Sequence, residues 1–352
     1  MVGRICRYAF SVMTACCSVC LMTQDSRAEV IEAGDFVDHV QTLRNLTFES
    51  GSGLYVAPNE SQRSAFSAAA ESLLEGNVAT AETQAAALDY EVVKFTDSVS
   101  GNVFYGLRET NNSPTKGWGS FYVNLDANHE ALIEVPHPRF DTNSWDIAAR
   151  AYRDSDSRGF LIAGAHRNAN GQGTADVAHL EDSVFQEVHE AWIGSGGERT
   201  AWSIHGFDAD NHSFPTGTDA VLSNGDGSVS QEVVALDAEL TEEGFLSFAY
   251  NTLDQDDPLN VTVNGSEEGT TFSSLGGRTN VQGISSRSLN GRFVHVELEQ
   301  SIRFNGDNRI AAAGAITDAI TASPEPSTAV TAFGLSLAVA FTRWRRKNRG
   351  TT

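Results

Sequence analysis

Three histidines occupy comparable places along the chain. His137 follows the strand-like stretch "EALIEV" in "IEVPHPRFDTNS", His166 closes "GFLIAGAH", and His205 closes "TAWSIH". In open α/β sheets, ligands bind beyond the carboxyl ends of the strands. Imidazoles at three such ends are therefore placed to converge on one point. The four cysteines (Cys6, Cys16, Cys17 and Cys20) all fall in the first 20 residues, so the rest of the chain offers no thiolate. A site of imidazoles and carboxylates suits a catalytic zinc, which keeps one position for water. A single histidine at a strand end is more often a surface or capping group. It is the repetition that raises the metal reading.

The neighbouring residues add candidates. Asp141 follows His137 by four positions, in a loop, close enough to share a metal. Arg167 and Asn170 follow the second strand, and the planar fork of an arginine suits a carboxylate. Asp176 reads as the cap of the helix that follows. Asp208 and Asp210, after His205, are open to two readings, as turn residues or as groups that orient an imidazole. In "GRFVHVELEQ" the polar His295, Glu297 and Glu299 alternate with Val294, Val296 and Leu298, so the polar three share a face. That face is either the wet side of a strand or the wall of a site. In the second case Glu297, in preference to Glu299, is the general base. His295 itself reads as a partner of the sheet, and His179 and His189 as structural residues of a helix. "DQDDP" lacks the ordered ligand spacing of a calcium loop.

These residues need a frame. "NESQRSAFSAAAESLLEGN" and "VATAETQAAALDY" have helical spacing and predict an N-terminal helical hairpin. "YEVVKFTD", "NVFYGLRE", "GSFYVNLD" and "EALIEV" read as antiparallel strands. From about residue 131 strands and helices alternate. "SWDIAARAYRDS", "ADVAHLEDSVFQEVHEAWIG", "SQEVVALDAELTEEG" and "DNRIAAAGAITDAI" are the expected helices, and "DAVLSNG", "FLSFAY" and "RFVHVELEQ" are further strands. The expected fold is α/β, a mixed and mostly parallel sheet flanked by helices. Residues 29–130 form the hairpin and antiparallel part, packed on a main domain at 131–322. "NGSEEGTTFSSLGGRTNVQGISSRSLNGR" reads as one long polar loop.

The chain of 352 residues has 40% hydrophobic and 20% charged residues, as globular proteins do, and a formal charge of −22. That acidity argues against nucleic acid as a partner. The two terminal segments carry more basic than acidic residues, so the body between them is more acidic still. Arg4 and Arg7 precede an apolar run, and Ser26-Arg27-Ala28 puts small residues at the −3 and −1 positions. This is the layout of a secretory signal peptide at 1–28, cut by signal peptidase after Ala28. A lipoprotein signal with Cys16 as acceptor is the alternative. At the other end Pro324-Glu325-Pro326 leads an apolar run over 328–342, then Arg343, Arg345, Arg346, Lys347 and Arg349. This segment, 323–352, resembles the PEP-CTERM sorting signal of exported bacterial proteins. The resemblance implies a transmembrane segment at about 328–342, processing by an exosortase, and delivery to the cell envelope or surface. An unrelated single-pass tail anchor is the other reading. The run is short for a span, which takes roughly 20 residues.

The order of the features in the body resembles the zinc carboxypeptidase and N-formylglutamate amidohydrolase superfamily, over about Leu132 to Arg303. "PHPRFD", "GAHRNAN", "ADVAH" and "IHGF" carry the likeness. It implies a phosphorylase/hydrolase-like α/β fold, one zinc, and hydrolysis of an amide or peptide beside a carboxylate. By position His137, Asp141 and His205 would be ligands, with His166 as an extra candidate. Glu297 would be the base, and Arg167 and Asn170 substrate contacts. One departure stands out. The carboxypeptidase pattern has a glutamate three residues after its first histidine, where this chain has Phe140, and Asp141 comes one residue later. A metal-free hydrolase has less behind it, since a cysteine nucleophile and a G-x-S-x-G elbow are both missing. The rival outside enzymology is a non-catalytic surface protein associated with extracellular polysaccharide or matrix. It requires the three histidines to lie far apart.

Overall fold

A computed structural model describes residues 30–196, 199–226, 230–249, 262–263, 266–267 and 274–322. The signal segment with Ala28 and the sorting segment with Pro324, Glu325, Pro326 and the apolar run at 328–342 lie outside the described residues. Among the described residues, no helix is long and apolar enough to cross a membrane.

The elements run β1 (Val30–Gly34), α1 (Phe36–Leu46), α2 (Glu60–Leu74), α3 (Val78–Ala86), β2 (Tyr90–Asp97), β3 (Val103–Glu109), β4 (Ser120–Asn124), β5 (His129–Val135), α4 (Ser144–Asp154) and β6 (Ser157–Ile162). Then follow α5 (Val184–Gly194), β7 (Thr200–Gly206), β8 (Ala220–Ser223), α6 (Gln231–Glu242), β9 (Ser247–Ala249), the two-residue strands β10 (Thr262–Val263) and β11 (Ser266–Glu267), α7 (Val281–Ser288), β12 (Arg292–Leu298), α8 (Gln300–Arg303) and α9 (Gly306–Ala322).

Ten strands form one mixed sheet in the order β1-β2-β3-β4-β6-β5-β7-β12-β8-β9. The stretch β2-β3-β4-β6 is antiparallel, whereas β6, β5, β7 and β12 are mutually parallel. The fold is α/β, with helices on both faces. One sheet runs through both the 29–130 and the 131–322 parts of the chain. Alternation along each strand feeds two cores. Ile133, Trp202, Ile204, Val294 and Val296 pack under α1, α4, α6 and α9, and Leu132, Ala201 and Phe293 pack under α2, α3 and α5. Phe36, fully buried, centres the first core through edge contacts to Phe104 at 4.8 Å and Phe160 at 5.5 Å between ring centroids.

Four expectations change here. The helix expected from Ala175 begins only at Val184, because the hydroxyl of Ser183, not Asp176, caps it by accepting from Gln186 N. The strand before His166 ends at Ile162, four residues early. Beyond it the backbone crosses Gly119 so closely that a Cβ on Gly164 would sit 2.4 Å from Gly119 N. The expected loop after residue 263 contains α7, started by Asn280, whose side chain accepts from Gly283 N at 3.1 Å. Finally, β1 and α1 precede the hairpin, with Asp35 capping α1 through Val37 N.

Candidate metal centre

The parallel strands β5, β7 and β12 end at the same edge of the sheet. His137 and Asp141 lie in the loop beyond Val135, His205 is the penultimate residue of β7, and Glu297 pairs in register with His205. All four are buried. They line an open cleft of about 660 Å³, a size usual for small-ligand sites.

The two imidazoles are set in the same way. His137 turns Nδ1 to Asp141 Oδ2 at 3.2 Å, and His205 turns Nδ1 to the same oxygen at 3.4 Å. Their outer nitrogens are held as well. His137 Nε2 lies 2.7 Å from Asp176 Oδ1, and His205 Nε2 lies 3.1 Å from Ser203 Oγ. The rings stand 5.0 Å apart between centroids. A zinc with bonds of about 2.0–2.1 Å spaces tetrahedral ligands by roughly 3.3 Å. Asp141 Oδ2 stands at that spacing from both Nδ1 atoms, and anchored outer nitrogens are what orient ligating histidines. The residues present therefore fit a metal, with ligand atoms of His137, Asp141 and His205 all within 4.8 Å of one another.

Charge in the cluster is unevenly shared. Burial alone would push His137 down, but Asp141 and Asp176 outweigh it and raise the imidazole to about 9. Burial would raise Asp141, yet His137 and His205 hold it below the usual carboxylate range. His205 is lowered, chiefly by burial, with Asp141 opposing. Glu297 is pushed well above its ordinary value, by burial and then by Asp141.

A second converging group, His205, His295 and Glu297, adjoins the first. His295 Nε2 lies 3.7 Å from Glu297 Oε1, and its ring is 4.6 Å from that of His205. The sequence reading of His295 as a sheet partner is thus corrected: it lines the cleft. The signal was its spacing, since a residue two before Glu297 on a strand must share its face. Ser203, two before His205, follows the same rule.

The other expected residues are placed as follows. Arg167 donates Nη2 to Asp176 Oδ2 and lies over the Phe140 ring at 5.0 Å, at the cleft wall. Asp176 is therefore a link between Arg167 and His137, not a helix cap. His166 is outside both converging groups. Its Nδ1 accepts from Asn168 N at 3.0 Å, and its ring is against Phe140. Asn170 uses both ends of its amide on Tyr55, accepting from the N–H at 3.0 Å and donating to the carbonyl at 2.6 Å. Asp208 accepts from Asp210 N and is the turn residue that starts the next loop, at the cleft rim. Glu299 caps α8 by accepting from Ser301 N, which leaves Glu297 as the glutamate inside the cleft. His179 lies on the loop before α5, at the cleft, with Nδ1 donating to Thr279 O at 3.0 Å.

No family model matches this chain, and no curated protein does. Solved structures show a distant likeness. A gene product of Agrobacterium tumefaciens aligns at 11% identity and TM-score 0.36, over 55% of this chain and 90% of its own. A bacteriophage poly-gamma-glutamate hydrolase aligns at 14% identity and TM-score 0.35, over 55% of this chain and 84% of its own. A candidate metallopeptidase from Shewanella amazonensis aligns at 10% identity and TM-score 0.35, over 70% and 93%. At such scores the likeness carries no weight for chemistry, and the function has to be read from the cleft itself.

A different constellation lies away from the cleft. His189 Nδ1 donates to Glu134 Oε1 at 2.7 Å, and its Nε2 lies 2.9 Å from Ser286 Oγ. The order acid–imidazole–hydroxyl matches a hydrolytic triad. All three side chains are sealed at 0% exposure, however, so no substrate reaches the hydroxyl. The trio ties β5, α5 and α7 together.

Proposed function

We propose that this protein is an exported, metal-dependent hydrolase that cleaves an amide or peptide bond beside a carboxylate. The observation that carries the reading is the convergence of His137 Nδ1, His205 Nδ1 and Asp141 Oδ2, with both outer nitrogens anchored. His137, Asp141 and His205 would hold a zinc ion. Bound there, zinc polarises a carbonyl and lowers the pKa of water. The chain's own groups do the rest. Asp176 Oδ1 accepts from His137 Nε2 and Ser203 Oγ sits against His205 Nε2, so that with a metal bound each ring would present its Nδ1 as the ligand atom. Glu297, whose burial makes its carboxylate the stronger base, would in its ionised form take a proton from water and deliver it to the leaving nitrogen. Arg167, at the cleft wall, is the cation for a substrate carboxylate. Phe140 and Phe304, 50% and 57% exposed at the cleft, offer apolar faces beside it. Export and sorting rest on the two terminal segments.

The non-catalytic reading needs His137 and His205 far apart, and a ring separation of 5.0 Å speaks against it. The test has two parts. Elemental analysis of the purified protein is expected to find one zinc or similar ion per chain, lost in His137→Ala and His205→Ala. Glu297→Gln should keep the ion while release of amino acid from N-acyl amino acids and short peptides falls at least about 100-fold. A protein with no stoichiometric metal would sink the proposal.

A further inference from the structure

One side chain holds the backbone of all three segments that build the centre. Arg303, 4% exposed, donates Nη1 to Thr142 O at 2.9 Å, Nη2 to Phe207 O at 2.8 Å and Nε to Leu298 O at 2.9 Å. Thr142 follows Asp141, Leu298 follows Glu297, and Phe207 lies two residues beyond His205. The three carbonyls thus report on the three loops or strand ends that carry a ligand or the candidate base.

The arginine is itself fixed. Its own carbonyl accepts from Asn143 Nδ2 at 2.9 Å and Arg309 Nη1 at 3.0 Å. Its guanidinium passes so close to β7 that a Cβ on Gly206 would lie 2.4 Å from Arg303 Nε, which explains glycine directly after His205. A guanidinium has five donors in a rigid plane and can bridge three acceptors in three directions. A lysine ammonium has one nitrogen and cannot span them. All three acceptors are neutral carbonyls, so the cation also keeps its field on the nearby Asp141 and Glu297.

We propose that Arg303 is the positioning residue of the centre, setting the mutual spacing of Asp141, His205 and Glu297 through Thr142, Phe207 and Leu298. This rests on the metal reading above. Its test uses the full chain loaded with cobalt(II), which fills zinc sites and absorbs visibly. Arg303→Lys removes the bridging, and Gly206→Ala displaces the guanidinium while keeping it. Arg108→Lys, which disturbs a buried arginine paired with Glu32 and Glu91 far from the cleft, is the comparison. Arg303→Lys and Gly206→Ala are expected to melt cooperatively, to bind cobalt about 10–100-fold more weakly in chelator competition, and to show an altered visible spectrum. Arg108→Lys should lower the melting temperature and leave affinity and spectrum unchanged. Wild-type affinity and spectrum in folded Arg303→Lys and Gly206→Ala would overturn the inference and leave the metal reading standing. Failure of both variants to fold would make Arg303 an ordinary core contact and overturn it too. A wild-type protein that binds no cobalt would overturn both readings together.

Discussion

His137 Nε2 lies 2.7 Å from Asp176 Oδ1, on the side of the ring opposite to Asp141. Asp176 is 39 residues further along the chain, and Arg167 holds its second oxygen. The pair settles how His137 is oriented, since an imidazole with an acceptor fixed on Nε2 presents Nδ1 to the cleft. Asp176→Asn keeps the shape and removes the charge. It is expected to weaken zinc binding about 10–100-fold, as loss of such outer partners does elsewhere. Competition with a chromogenic chelator measures it. Unchanged affinity would mean that Asp176 serves the loop and not the histidine.

The candidate centre was legible where local pattern and site coincide. His137 and His205 stand out because strand ends are visible as apolar runs that stop, and Glu297 because alternation puts it on the polar face of its strand. What escaped depends on contacts across the sheet. His166 looked equivalent to the other two, but the close crossing at Gly119 and Gly164 ends β6 early and turns the chain away. Asp176 looked like a cap because its position suits one. Its real partners come from two other segments, and no local rule shows them. Arg303 and its three carbonyls are equally remote from one another in sequence. The α/β fold was readable from alternation. The short α7 was hidden by a polar stretch with little periodicity, and it forms because its buried face meets Phe293 and His189.

The sealed trio of Glu134, His189 and Ser286 makes a separate prediction. Removing the acid leaves the buried His189 Nδ1 without its partner, so Glu134→Ala is expected to cost about 1–3 kcal/mol of stability for the unpaired group, with the emptied space adding to the loss. Ser286→Ala removes one hydrogen bond and should cost about 1–3 kcal/mol. Both are read by urea unfolding. Hydrolysis, once a substrate is found, should survive Ser286→Ala. Loss of turnover in a folded Ser286→Ala protein would reverse the assignment of the cleft as the reaction site.

Gly119 has φ +97°, and a Cβ there would fall 2.0 Å from Ile162 O. Backbone cannot give way as a flexible side chain does, so Gly119→Ala combines a left-handed conformation with a clash on β6. We expect a loss of about 3 kcal/mol or more, at the high end for single substitutions. Gly101→Ala, also at positive φ but with open space around it, is the comparison and should cost about 1–2 kcal/mol. Equal losses in thermal melts of the two variants would show that the crossing at β6 relaxes freely.

Asp237, on α6, is 2% exposed and lies away from the cleft. Burial pushes its carboxyl from 3.8 up to about 6, with Ser247 opposing in part. The folded state therefore binds this proton more tightly than the unfolded chain does. Below about pH 3 both states hold the proton, and the group carries no penalty. As the pH rises towards about 6 the unfolded chain releases it first. Stability then falls by roughly 1.4 kcal/mol for each pH unit that separates the folded and unfolded pKa values, and levels off above the higher one. Asp237→Asn cannot lose a proton. It should match the wild type near pH 3 and be more stable by about 3 kcal/mol above about pH 7. Urea titrations at the two pH values decide it. A variant less stable than wild type at the higher pH would mean that the buried carboxylate has a partner that the charged form needs.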